Sequence, residues 1–120
     1  VYEDEHFTVL LTIHPINPGH LMVVTNAHIP SFYDVEDTLY TSMMLLVKRM
    51  ALAVKAVYNP LQVVMETSGA GNRHVHIHVL PVYSLYDLVP RDVQERQRAR
   101  PATDAELTLI LHDLRRYLHA

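Results

Sequence analysis

The sequence predicts an α+β protein, an antiparallel β-sheet carrying a long central helix and a C-terminal helix. Three observations predict it. Short apolar, β-branched runs come in two pairs, each interrupted by turn residues, as hairpins require. Between the pairs, one long segment repeats its apolar residues at helical spacing. A second such segment, opened by a capping sequence, closes the chain.

Taken in order, Tyr2 to Leu11 reads as a strand, with Phe7, Val9 and Leu11 in alternation. HPINPG, His14 to Gly19, holds two prolines and a glycine and reads as a turn. His20 to Thr25 is the returning strand, and NAHIP ends it. From Asp37 to Val57, the residues Leu39, Met43, Leu46, Met50, Val54 and Val57 fall along one helix face. Asp34, Glu36 and Asp37 suit the positive end of that helix, and Asn59-Pro60 closes the other. Leu61 to Glu66 and Arg73 to Pro81 form the second strand pair around the loop TSGAGN. Tyr83 to Arg100 shows no period, and its run RDVQERQRAR reads as a solvated loop or as a neighbour of an anionic substrate. Thr103 to Glu106, TDAE, matches a capping box ahead of Leu107, Ile110, Leu111, Leu114 and Leu118.

At 120 residues the chain is read as a single domain over 1–120, able to bury a core without staples. With valine as its first residue, a truncated N-terminus is expected. The net charge of −3 provides no general attraction for nucleic acid, so anion binding must be local. No run approaches the roughly 20 apolar residues of a membrane span, and VYEDEHF is unlike a secretory signal. With no cysteine there is neither a disulfide framework nor a thiolate metal site, and a reducing, cytoplasmic compartment is expected. Histidine stands out at nine residues, a side chain suited to proton transfer near neutrality.

The strongest local signal is RHVHIHVLP, Arg73 to Pro81. On a strand, His74, His76 and His78 share one face at intervals of about 7 Å, while Val75, Ile77 and Val79 share the other. Three readings compete. Surface histidines on an amphipathic strand would give one imidazole more readily than three in strict alternation. A metal site has His20 and His28 as further ligands but neither a cysteine nor a carboxylate beside the run. Phosphoryl chemistry uses a neutral imidazole as nucleophile and a charged neighbour to neutralise phosphoryl oxygens or protonate a leaving group. Two charged imidazoles repel, so one can stay neutral while its neighbour holds the proton. The preceding Ser68-Gly69-Ala70-Gly71-Asn72 can bring backbone N–H groups close to an anion.

HVHIHVL, His74 to Leu80, resembles the His-φ-His-φ-His-φ-φ signature (φ apolar) of the histidine triad (HIT) superfamily. PINPGHLMVV, Pro15 to Val24, is similar to that family's Pro-Gly-His segment; VYEDEHF and LRRYL resemble its first strand and last helix. The resemblance covers nearly the whole chain. It implies a nucleotide-binding α+β fold, a homodimer, and hydrolysis or transfer at an α-phosphate through a nucleotidyl-histidine. Substrates would be dinucleoside polyphosphates, nucleoside phosphoramidates or adenylylated compounds. Carried over, His76 is the nucleophile, His78 contacts the α-phosphate, and His74 lies against His20. Thr12 stands where relatives carry an acidic or amide residue for the ribose. Gly71 stands where they carry a hydroxyl, in a loop about two residues shorter, so Asn72 or Arg73 is expected to assume part of that contact. No cofactor is implied. His28 and His74 match positions that complete a zinc site in some relatives, but zinc is not expected without cysteine. A nucleotide-binding module without chemistry and a histidine-rich metal protein remain as alternatives.

Overall fold

The computed structural model describes residues 1–12, 18–67, 73–84 and 102–119. Its first departure from the sequence reading is at Asp4. The expected single strand is two, β1 (Tyr2–Glu3) and β2 (Phe7–Leu11), paired antiparallel. The Asp4 carboxylate accepts from the amides of His6 and Phe7, each at 2.8 Å. The short carboxylate thus supplies the local bonds that let the chain turn. Asn26 secures the turn from outside, donating to the Asp4 and Glu5 carbonyls at 2.9 and 3.1 Å.

Strands β3 (Leu21–Thr25), β4 (Gln62–Glu66) and β5 (His76–Val82) complete a five-stranded antiparallel sheet in the order β1-β2-β3-β5-β4. Both expected hairpins form, β2 with β3 and β4 with β5, and β3 joins β5 to make one sheet. β5 is therefore an interior strand. It starts at His76 rather than Arg73. His74 and Val75 precede the ladder, and the Val75 amide donates instead to the Ile29 carbonyl at 2.7 Å.

Helix α1 (Asp37–Tyr58) follows a short 3-10 turn at Phe32–Asp34. It buries Met43, Leu46, Val47, Met50, Ala53 and Val54, the expected face with Val47 and Ala53 added. Leu39 and Val57 pack at its margins. It ends on Asn59 in the left-handed conformation (φ 46°), whose amide donates to the Lys55 carbonyl at 2.9 Å. Asparagine is among the few non-glycine residues that adopt this conformation readily. Helix α2 (Asp104–Leu118) begins at the expected cap, with Thr103 Oγ1 accepting from the Glu106 amide at 3.2 Å. Leu114 is its buried anchor; Ile110 and Leu118 pack alongside.

One core results, with Val9, Val23, Ile77 and Val79 of the sheet facing α1 and Leu114. Alternation sends the residues between them to the opposite face of the sheet. The positional expectations for His14, for the 68–72 loop and for the 91–100 run lie outside the described residues. Among the described residues no helix is long and apolar enough to cross a membrane.

Candidate active site

The site is built on the sheet face opposite the core. Register sets Thr8, Val24 and His76 abreast across β2, β3 and β5. The next row of that face runs Leu10, Met22, His78 and Glu66. Ile77 and Val79 are buried beneath, which holds the strand and its imidazoles in place.

His76 has a defined hydrogen-bonding state. Its Nδ1 lies 2.9 Å from the His74 carbonyl oxygen. A carbonyl only accepts, so Nδ1 carries the proton, and the neutral ring keeps its lone pair on Nε2. His74 is anchored in the same way. Its Nε2 donates to the Thr25 carbonyl at 2.7 Å, with Thr25 Oγ1 at 3.4 Å. Thr25 is itself buried, its hydroxyl donating to the Ala27 carbonyl.

The third histidine pairs with His20, Nδ1 of His78 standing 2.8 Å from Nε2 of His20. One proton serves that contact, so the tautomers of the two rings are coupled. His20 is only 4% exposed. The rings of His76 and His78 meet edge to face with centroids 5.0 Å apart.

This geometry corrects one expectation: His20 lies against His78, not at His74. Antiparallel pairing matches Leu21 with Val79 and Val24 with His76, so position 20 falls opposite 80 and position 26 opposite 74. Six strand residues, about 20 Å, separate those two ends. The neighbour of His74 is instead His28, edge to face at 5.3 Å between centroids. Among the described residues no group of three or more metal-binding side chains gathers.

Of the other candidates, Thr12 lies at the end of β2, its amide 3.4 Å from the His20 carbonyl. Arg73 is exposed and directly precedes His74. Gly71 and Asn72 lie outside the described residues. Sequence reasoning missed Thr25, which anchors His74, and Leu10 and Met22, an apolar shelf beside His78 with Leu10 43% exposed. Alternation in β2 and β3 signals which residues share a face; the cross-strand register needed to set them beside His78 is not written in it.

A five-stranded antiparallel sheet whose interior strand carries alternating imidazoles, braced by a fourth from the neighbouring strand entry, defines a histidine-triad protein. The HIT domain model matches residues 1–85, and the chain belongs to that family. "Protein hit" of Bacillus subtilis is 30% identical over 92 residues, 72% of this chain and 63% of that protein, so the match spans less than two thirds of the relative. Adenosine 5'-monophosphoramidase of Saccharomyces cerevisiae is 31% identical over 80 residues, 66% of this chain and 51% of that protein. A hypothetical histidine triad nucleotide-binding protein of Sulfolobus tokodaii superposes with a TM-score of 0.81 at 21% identity, covering 98% of this chain and 81% of that one, a likeness of fold.

Proposed function

We propose that the protein is a nucleotide hydrolase or nucleotidyltransferase acting at the α-phosphate of a nucleotide conjugate. The observation that carries this reading is the His76 Nδ1 contact with the His74 carbonyl, which leaves Nε2 as a directed nucleophile. In the first step Nε2 forms a bond to the α-phosphorus as the bond to the leaving group breaks. The leaving group departs with a proton from a neighbouring donor, and the nucleotide stays on His76. In the second step water, or another acceptor, attacks phosphorus and the P–N bond breaks, while the acceptor's proton passes to the group that protonated the leaving group, restoring both that group and His76. His78 donates to an oxygen of the α-phosphate, with His20 supporting its opposite nitrogen. His74 orients His76 through its carbonyl. Leu10 and Met22 offer an apolar surface to a base, Thr12 lies on the ribose side, and Arg73 is available to the phosphate or leaving group. The activity named for the yeast relative, on an adenosine phosphoramidate, supports this substrate class.

No cofactor enters this chemistry. The working form is a homodimer: Leu45 and Leu52 on α1, with Leu61 and Met65 at the sheet edge, are large apolar residues left exposed on the single chain. The catalytic reading is tested with a panel of dinucleoside polyphosphates, adenosine phosphoramidates and adenylylated peptides. His76→Ala is expected to abolish release of mononucleotide and to block labelling by an α-phosphate-labelled substrate. A correctly folded variant that turns over normally would sink the mechanism. AMP binding by the wild type without turnover of any panel member would make the protein a binding module.

A further inference from the structure

His20 reaches His78 from a turn, and turns are ordinarily the less rigid parts of a site. This one is held by two tyrosines. Gly19 has φ +92°, and a Cβ built there would stand 2.9 Å from Cε2 and 3.0 Å from Cδ2 of Tyr58. The Tyr58 ring, at the last position of α1, therefore lies directly on the glycine backbone, with the Pro81 ring of β5 3.6 Å from the same point. Tyr83 in turn donates its hydroxyl to the Pro18 carbonyl at 3.3 Å. Only a residue without a side chain tolerates both the positive φ and the aromatic face. Neither tyrosine belongs to the row of imidazoles, yet both grip the two residues that immediately precede His20.

We infer that Tyr58 and Tyr83 are positioning residues, which clamp the Pro18-Gly19 turn and thereby hold His20 Nε2 against His78 Nδ1. The clamp sets how His78 presents its other nitrogen to the substrate. The ring of Tyr58 does this work rather than its hydroxyl, which is buried and has no hydrogen-bond partner among the described residues. The effect on turnover rests on the catalytic reading above; the effect on the His20–His78 contact does not.

The test compares Tyr58→Leu, Tyr58→Phe and Tyr83→Phe by two readouts. The first is kcat and KM on a turned-over AMP conjugate. The second is the ring-nitrogen NMR shifts of His20 and His78, which report tautomer and hydrogen bonding without any substrate. Tyr58→Leu is expected to lower kcat by about 10- to 100-fold, the cost of a small misplacement, with KM little changed. It also averages the tautomer signature of the pair. Tyr58→Phe keeps the ring and is expected to retain both wild-type values. Tyr83→Phe, at an exposed side chain, loses part of kcat and shifts the His20 signal. If Tyr58→Leu does not fold, Tyr83→Phe carries the decision. Wild-type ring-nitrogen shifts in Tyr58→Leu, or in Tyr83→Phe where Tyr58→Leu does not fold, overturn the clamp. Should the protein turn over no nucleotide, the NMR arm decides the clamp alone, and only the catalytic reading falls.

Discussion

Tyr58 shows how a single side chain can serve position at the expense of stability. Burial, and then the nearby Asp113 carboxylate and Tyr83, push its hydroxyl from 10.0 up to about 12. An acid whose folded value is raised loses stability as the pH climbs, because between about 10 and about 12 the unfolded chain releases a proton that the folded chain retains. Below that window the hydroxyl, which has no hydrogen-bond partner among the described residues, still incurs its desolvation cost. Tyr58→Phe is therefore expected to raise stability by about 1 kcal/mol at neutral pH in urea unfolding. Its advantage over the wild type should grow as the pH rises through that alkaline window. An equal or lower urea midpoint for the variant would contradict the burial account. The role of this residue was not legible from the sequence, where it is one more aromatic at the end of a helical run. The face of His74, His76 and His78 was legible, because strand alternation is local. The partner of His20 was not, because a partner depends on register between strands more than 50 positions apart.

At the scale of elements, the hairpin of β1 and β2 depends on Asp4. Burial, the largest single influence, raises its carboxyl, but the amides of His6 and Phe7, the Tyr2 hydroxyl and His6 together outweigh it and hold it below the ordinary 3.8. A carboxylate with a lowered folded value stabilises the fold above its unfolded value, and that contribution fades as the pH falls through the folded value. Asp4→Ala should cost about 1 kcal/mol near neutrality, the value of the lost hydrogen bonds. The difference from wild type should close in acid, below the ordinary carboxylate range. A difference that persists unchanged at low pH would show that the turn does not use the charge. The expected strand missed this break because Tyr2, Phe7 and Val9 continue to look strand-like across it. By contrast, α1 and α2 were legible almost to the residue: their stripes span several turns, and Asn59 and Thr103 mark ends in chemical terms that the chain itself carries.

For the molecule as a whole, β4 is the longer of the sheet's two edge strands, and its Met65 is 58% exposed on the same face as α1. An edge strand with exposed apolar side chains invites pairing with another chain. Met65→Lys is expected to move the sedimentation coefficient from that of a dimer to that of a monomer at micromolar concentration; a wild-type protein already monomeric there would remove the dimer reading. The α+β class and the family signature were both legible because each rests on repeated local patterns. The order β1-β2-β3-β5-β4 was legible only as two hairpins, since nothing within either one specifies how they join.

That join has a consequence for how the histidine cluster is assembled. β5 sits between β3 and β4, so the strand bearing His76 and His78 acquires both neighbours only when the two halves of the sheet meet. His20 belongs to the early hairpin and His78 to the late one, 58 residues on. No local event can assemble the set: closing so long a loop is an entropic cost borne before any contact repays it. The histidines thus come together in the same step that completes the core, and a nascent or half-unfolded chain carries three imidazoles without a site.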